Sequence, residues 1–169
     1  MSCVVGFCKN RGVCQPIRVG GQLKVIRSEI DIDASVEKVW NIIVDLERYP
    51  EWNPFTPRMG AKRIVVGEEF LLDCQMTEKQ LLKDEKEVFL AYDPEQYRLC
   101  WGTSRTKGRP GIKSYRWQIC EPVDDHRTHF VNYEEFHGIL APLVNLLYGK
   151  KLQIAFNGYC QALKGRAEL

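Results

Sequence analysis

Apolar and polar residues alternate over residues 24–32, and the apolar positions there include Ile26, Ile30 and Ile32. A period of two is typical of a strand with one buried face. The next stretch changes to the spacing of a helix that buries one side, with apolar residues at positions 36, 39, 40, 43 and 44. The pattern therefore predicts a strand that leads directly into an amphipathic helix.

This helix is followed by a corner rich in aromatic residues, which spans 49–55. Pro50 and Pro54 lack a backbone N–H, and each disfavours helical angles in the residue before it. We therefore expect the helix to stop and the chain to turn sharply here. Trp40 in the helix and Trp52 in the corner are large apolar side chains, and we expect both to lie in the core.

Turn residues separate the later stretches that have strand character, which are 58–66, 67–76, 81–92, 97–101, 115–119 and 126–136. The stretch 81–92 carries apolar side chains in both alternating frames, so its register stays open. Consecutive strands with short turns predict an antiparallel meander. Residues 138–168 predict one long helix, about 45 Å in length if it is unbroken.

The last predicted helix carries two apolar stripes, which a straight helix cannot bury against one sheet. The stripes lie roughly 120° apart and consist of Leu152, Phe156, Tyr159 and Leu163 and of Leu140, Leu143, Val144 and Leu147. Either the helix bends near Gly149, where glycine lowers the cost of a kink, or the N-terminal stripe, which begins at Leu140, stays partly exposed. We favour the bend.

The order of these elements and several short motifs match a known family. The motifs are Val-x-x-Val-Trp at 36–40, Tyr-Pro-x-Trp-Asn-Pro-Phe at 49–55, Val-Gly-Glu-Glu-Phe at 66–70, Glu-Glu-Phe-His-Gly-Ile-Leu-Ala-Pro-Leu at 134–143 and Ala-Leu-Lys-Gly-Arg-Ala-Glu at 162–168. Over residues 23–168 the chain resembles the polyketide cyclase/dehydrase-like branch of the START-related (SRPBCC), birch-pollen-allergen-like helix-grip superfamily. This superfamily places many activities on one scaffold.

The resemblance implies an α+β helix-grip fold with an internal cavity. In that fold a curved antiparallel sheet of about seven strands wraps around a long C-terminal helix, and two short helices follow the first strand. The length of 169 residues suits one such domain. We place the domain at 22–169, after a flexible appendage at 1–21 that several glycines interrupt.

Composition narrows the classes of partner. The formal net charge of +2, without a basic block, predicts no nucleic-acid partner. No apolar run reaches the roughly 20 residues that cross a bilayer, and the first residues lack the basic region and long apolar run of a secretory signal. We therefore expect a cytoplasmic protein, as a monomer or weak dimer.

The residue types that commonly carry catalysis are present, but their spacing is unfavourable. Glu134 and Glu135 are neighbours in a predicted strand, so only one of them can face a cavity. His126 and His129 are separated by an odd number of residues and also point to opposite faces. Three of the seven cysteines lie in the appendage at spacings unlike those of zinc ligands, namely Cys3, Cys8 and Cys14. We expect no metal, no cofactor and no covalent nucleophile.

Aromatic and soft side chains on the predicted strands are expected to line a cavity that faces the last helix. The predicted ligand-binding residues are Phe70, Leu72, Met76, Leu99, Trp101, Trp117, Tyr133 and Glu135. The loop at 102–111 carries basic residues and no acid, and the predicted mouth of the cavity consists of Arg105, Lys107, Arg109, Leu140 and Leu143. In the competing interpretation the aromatic residues pack a closed core and the loop is a solvated hairpin tip.

Three functions remain open at this point. The first is binding or transport of a small hydrophobic or amphipathic molecule, such as a lipid, because the resemblance implies a cavity and the sequence shows no catalytic set. The second is a polyketide aromatase/cyclase-like enzyme, in which Tyr133, Glu135 or Arg116 would orient a substrate and transfer protons. The third is an interaction module in which the last helix and the basic loop make a transient contact with a membrane surface or another protein.

Overall fold

The computed structural model describes residues 24–103 and 111–169. The predictions that fall outside the described residues concern the appendage at 1–21, with Cys3, Cys8 and Cys14, and the basic side chains Arg105, Lys107 and Arg109. Among the helices of the described part, none combines the length and the hydropathy that crossing a bilayer requires.

The described residues form one antiparallel sheet of seven strands, three α-helices and one short 3-10 helix at Leu46–Arg48. The strands are β1 (Lys24–Ile32), β2 (Arg58–Met59), β3 (Glu69–Thr77), β4 (Gln80–Asp93), β5 (Arg98–Thr103), β6 (Lys113–Asp124) and β7 (Arg127–His137). The helices are α1 (Val36–Val44), α2 (Tyr49–Trp52) and α3 (Ala141–Ala167). The strand order is β1-β7-β6-β5-β4-β3-β2, so β2 to β7 form the predicted meander and β1 joins it beside β7. The strand predicted over 58–66 is much shorter than expected.

The sheet curves around α3, because this helix contacts β1 at one edge of the sheet and β3 near the other edge. Polar contacts fasten the second half of α3 to β1. Gln153 Nε2 donates to the Arg27 carbonyl oxygen at 2.9 Å, and Lys164 Nζ donates to the Asp31 carbonyl oxygen at 2.7 Å. A curved sheet that holds a long C-terminal helix is the helix-grip fold that the sequence predicts.

The predicted helix and aromatic corner close one end of the sheet. Ser35 caps α1, with its Oγ accepting from the Lys38 backbone N–H at 3.4 Å. Trp40 is 5% exposed and stacks on Tyr92, as expected for a core residue. Trp52 is only partly buried and packs against the edge of the core.

The register of β4 depends on an irregularity around Asp84, whose φ is +55°. Leu82 and Glu85 are an odd number of residues apart, yet both pair with residues on the same face of β3. One extra residue in a strand moves every later side chain to the other face, so the two halves of β4 follow different frames. Glu85 and Glu87 therefore face the same side as Leu82. This irregularity explains why apolar residues occupy both frames of the sequence.

The two apolar stripes near the C-terminus differ in burial. The C-terminal stripe, which includes Leu152 and Leu163, is buried. In the N-terminal stripe, Leu140, Leu143 and Leu147 are 39%, 49% and 55% exposed. The preferred prediction, that a bend near Gly149 buries both stripes, is therefore wrong. The sheet contacts the second half of α3 most closely, and the N-terminal stripe remains half-exposed.

We expect the simultaneous replacement of Leu140, Leu143 and Leu147 by Ser to lower the free energy of unfolding by less than about 1.5 kcal/mol, because each surface substitution usually costs about 0.5 kcal/mol or less. Urea unfolding measures this. Leu163→Ala is the matched control, because Leu163 is fully buried and truncation of a buried leucine costs about 2–5 kcal/mol. A triple variant as unstable as Leu163→Ala would contradict the prediction.

Candidate functional site

An open cavity of about 390 Å³ lies between the sheet and the first half of α3. Its apolar lining includes Phe55, Met76, Ile112, Phe136, Val144 and Leu152. Its polar lining consists of Cys74, Lys83, Asp84, Glu85, Lys86, Glu87, Thr103, Ser114 and Glu134. The size and the mixture of apolar walls with polar groups are typical of a site for a small molecule.

Two of the four carboxyl groups in this lining are deeply buried, those of Glu87 on β4 and Glu134 on β7. Burial raises the pKa of both, and the nearby Glu134 carboxyl raises the pKa of Glu87 further. The positive charge of Arg116 opposes both shifts, and a hydrogen bond from Ser114 also lowers the pKa of Glu134. Glu87 Oε2 is buried without a hydrogen-bond partner among the described residues. A buried oxygen of this kind is costly unless a proton or a ligand satisfies it.

Arg116 lies behind the cavity in a cage of aromatic rings, and it is 3% exposed. Its guanidinium carbon lies 4.7 Å from the ring centres of Phe55 and Phe156, 5.0 Å from that of Tyr159 and 5.4 Å from that of Trp101. Its Nε donates to Asn132 Oδ1 at 2.9 Å. Contacts between a desolvated cation and ring faces are stabilising. Because Phe55 also lines the cavity, Arg116 places a positive charge directly behind the cavity wall.

A second buried polar cluster ties α3 to the aromatic corner. Tyr159 Oη donates to Gln118 Oε1, and Tyr49 Oη donates to the Ile43 carbonyl oxygen at 2.8 Å. Burial raises the pKa of both phenols, so they stay protonated at neutral pH and act as hydrogen-bond donors. These side chains lie in the packed core, and their evident role is to position α3.

Four of the predicted ligand-binding residues face α3, but they lie within the packed core: Phe70, Leu72, Leu99 and Trp101. Phe70 stacks on Phe89 with 4.3 Å between ring centres, and Trp101 contacts both rings edge-on. Met76 is the member of the predicted set that appears in the cavity lining. The cavity therefore lies nearer the first half of α3 than the sequence suggested.

The structure corrects the predicted face of Trp117, Tyr133 and Glu135. Directly paired residues in an antiparallel sheet share a face. Arg116 contacts Phe156 of α3 and pairs with Glu134, whereas Trp117 and Tyr133 pair with each other in the alternate frame. The aromatic alternation of β6 thus marks the outer face of the sheet, because its inward residues are mostly polar.

The predicted mouth residues that the structure describes are Leu140 and Leu143. Both are half-exposed, and neither belongs to the cavity lining. From this part of the chain, Val144 and Tyr148 line the cavity instead. Leu140 instead lies against Gly111, where an added Cβ would come within 3.2 Å of its side chain. These two leucines belong to the exposed apolar stripe beside the cavity.

The sequence pattern does not identify the two buried carboxyl groups of the cavity, for a definable reason. It allows only one of Glu134 and Glu135 to face the cavity, and the aromatic side chain of Tyr133 favours the frame of Glu135. Phe130 and Phe136 are the better signal, because both are buried and both share the frame of Glu134. The inward position of Glu87 follows from the irregularity at Asp84, for which the sequence pattern contains no clear signal.

In the described part of the chain, no group of three or more His, Cys, Asp or Glu side chains is placed to hold a metal ion. His129 Nδ1 lies 2.6 Å from Asp31 Oδ1, and His137 Nε2 lies 3.3 Å from Glu135 Oε2. Two of the histidines are thus engaged in side-chain pairs outside the cavity.

The fold and the cavity define a START-like helix-grip protein. Residues 24–168 match the family described as polyketide cyclase / dehydrase and lipid transport. The chain belongs to this family. No curated protein sequence matches the chain.

Solved structures with the same fold include proteins of different kinds. The Zhui aromatase/cyclase from a Streptomyces species is 14% identical, with a TM-score of 0.72 over 87% of this chain and 94% of that one. Norcoclaurine synthase from Thalictrum flavum, solved with dopamine and hydroxybenzaldehyde, is 15% identical, with a TM-score of 0.65 over 89% and 95%. A START superfamily protein from Mycobacterium smegmatis is 20% identical, with a TM-score of 0.59 over 85% and 97%. At these identities the likeness extends to the fold alone.

Proposed function

We propose that this protein binds a small hydrophobic or amphipathic molecule in the cavity between its sheet and the first half of α3. The observation that carries the proposal is the open space of about 390 Å³ between the sheet and the first half of α3. Small-molecule sites are commonly about 300–1,000 Å³, mainly apolar and provided with a few oriented polar groups. A lipid is one such ligand, and a cytoplasmic location stays a prediction from the sequence.

The contrast between the two halves of α3 supports this proposal over a fully packed interior. Leu152, Phe156 and Leu163 are 7%, 0% and 0% exposed. Tyr148 and Val144, which lie one and two turns before Leu152, are only partly buried and border the cavity. A ligand in this space would cover apolar surface of both residues, which favours binding by the hydrophobic effect.

We expect the neutral fluorescent dye Nile red to bind the native protein at one molecule per chain, and an apolar alcohol such as octanol to displace it. Val144→Trp fills the cavity and should weaken dye binding at least about tenfold, which corresponds to 1.4 kcal/mol. Ile154→Trp is the matched control, because Ile154 lies on the same helix, is 71% exposed and is not part of the lining. Absence of stoichiometric binding to the native protein would contradict the proposal.

A second candidate is an aromatase/cyclase-like enzyme, and the raised pKa values of Glu87 and Glu134 favour it. A carboxyl group with a raised pKa can act as a general acid or base near neutral pH. Tyr133 and Glu135, which the sequence suggested for this role, lie on the outer face of the sheet. Cyclisation of a short poly-β-ketone by the native protein, with loss of turnover in Glu134→Gln, would support the enzyme. No turnover beside intact ligand binding would favour the binder.

A further inference from the structure

Glu87 combines features that point to a particular kind of ligand. Its carboxyl lines the cavity, and its Oε2 is buried without a hydrogen-bond partner in the described part of the chain. A carboxyl oxygen accepts hydrogen bonds when it is ionised, and it is strongly destabilised when it is removed from water without a donor. When Glu87 is ionised, the group that satisfies it from within the cavity is therefore a hydrogen-bond donor.

The local charges favour a donor that is also positive. Arg116 carries one positive charge behind Phe55, while Glu87 and Glu134 supply the two buried carboxyl groups of a lining that also contains Asp84 and Glu85. Glu134 is the direct cross-strand partner of Arg116 and receives a hydrogen bond from Ser114. Arg116 can thus compensate Glu134, and the second carboxyl, that of Glu87, is left for the ligand.

The other charged groups around the cavity leave Glu87 available. On its own strand, Lys83 and Lys86 also line the cavity, but both side chains are exposed to solvent, where water and salt screen their charges. Asp84 accepts from Arg58 Nη2 at 2.6 Å, and Lys151 of α3 donates to Gln80 Oε1 at 2.7 Å. Glu85 also borders the cavity and adds negative charge near Glu87. The remaining titratable side chains that border the cavity, Cys74 on β3 and Tyr148 on α3, carry no positive charge.

We propose that the cavity selects a hydrophobic amine, whose protonated nitrogen donates a hydrogen bond to Glu87 while its apolar body lies against Phe55, Phe136 and Val144. This inference rests on the proposed function and narrows its ligand. An organic cation fits better than a metal ion, because the described residues provide no group of three metal-binding side chains. The nearby aromatic rings add a favourable contact for a cation. A ligand with a carboxylate would instead face two acidic groups and be disfavoured.

Proton linkage provides a signature of this contact. The pKa of Glu87 in the free protein is raised, so Glu87 holds a proton over part of the range in which an ordinary glutamate is ionised. A bound ammonium group favours the ionised form and lowers this pKa, so binding releases a proton. Affinity for an amine should therefore rise as pH increases through the pKa of free Glu87, and it should fall once the amine itself loses its proton.

Three matched probes test the proposal by isothermal titration calorimetry: octylamine, octanol and octanoate. We expect the native protein to bind octylamine about tenfold to a hundredfold more tightly than octanol, in keeping with a hydrogen bond to a charged group, and to bind octanoate most weakly. Titration of octylamine in two buffers with different ionisation enthalpies should reveal the released proton.

Glu87→Gln keeps the shape of the side chain but not its charge. It should therefore lose the preference for octylamine and the proton release, while it retains octanol binding. Glu121→Gln, an exposed position outside the cavity lining, is the control and should behave as the native protein.

The possible results separate this inference from the function on which it rests. Octanol binding without a preference for octylamine, or a preference that survives in a folded Glu87→Gln variant, would overturn the amine inference and leave the binding function intact. Tighter binding of octanoate than of octylamine would overturn it as well. Failure of all three probes and of Nile red to bind would overturn both. Circular dichroism establishes that each variant is folded.

Discussion

Arg116→Ala is expected to lower the free energy of unfolding by about 3–5 kcal/mol, the usual cost of removing one partner from a buried charged network. The change empties the space between the rings of Phe55 and Phe156, and it leaves Asn132 Oδ1 without the donor that it now has at 2.9 Å. It also removes the cation nearest to Glu134. Urea unfolding with circular dichroism measures the loss.

Arg116→Met separates the packing of the side chain from its charge. Methionine keeps much of the volume between the rings but carries no charge, so the pKa of Glu134 should rise further above its ordinary value. A carboxyl whose pKa is raised by folding contributes stability below its unfolded pKa, and this contribution is lost as pH rises through the folded pKa. The deficit of Arg116→Met should therefore grow as pH rises through the pKa that Glu134 has in the native protein. A urea midpoint of Arg116→Ala equal to that of the native protein would refute the assigned role.

Trp40→Ala is the second large effect that we expect, with a loss of about 3–5 kcal/mol, as is usual when a buried large aromatic side chain is truncated. Trp40 is 5% exposed, stacks on Tyr92 with 6.0 Å between ring centres and meets Tyr97 edge-on at 5.9 Å. No smaller side chain could bridge α1 and these rings. Urea unfolding followed by far-UV circular dichroism, which does not rely on tryptophan fluorescence, is the suitable measurement.

Trp52→Ala is the comparison within the same region, and its loss should be smaller. Trp52 is only partly buried, although it stacks on Tyr159 at 5.6 Å and meets Tyr49 edge-on at 5.3 Å. Less apolar surface returns to water when it is truncated. An equal or larger loss for Trp52→Ala would show that the aromatic corner, rather than the face of α1, contributes most to stability.

Burial of carboxyl groups connects stability with the proposed function. Burial makes the ionised forms of Glu87 and Glu134 unfavourable, as their raised pKa values indicate. Binding sites often contain groups that lower stability in the absence of a ligand, because the same groups provide affinity or chemistry when the ligand is present. Selection for stability alone would favour an apolar or amide side chain at position 87.

The elements whose local patterns were unambiguous could be predicted from the sequence. The period-two alternation of β1 and the single apolar face of α1 each depend on neighbouring residues, and both appear in the structure as expected. At the corner, Asn53 before Pro54 is extended as expected, whereas Tyr49 before Pro50 takes helical angles and begins α2. The motifs at 36–40 and 49–55 added the family and hence the helix-grip arrangement. Local pattern and resemblance were thus sufficient for the fold, because both are carried by residues close together in the chain.

The cavity and its orientation were decided by tertiary structure. On β6 the aromatic alternation of Trp117 and its neighbours predicted the wrong face, because Arg116 is held on the inner face by four aromatic rings and Asn132 that come from elsewhere in the chain. A buried polar face cannot be recognised without its partners. On β4 the irregularity at Asp84, whose side chain pairs with Arg58, turned Glu87 inward.

The sequence by itself determined the strands, the helices and the family of this protein, since these depend on local periodicity and on contiguous motifs. Only the tertiary structure decided which half of α3 the sheet grips, which frame of each strand faces inward and where a cavity remains. A cavity is the space left when a helix and a curved sheet meet at a particular distance and angle. That distance is set by many long-range contacts at once, and no single stretch of the chain encodes it.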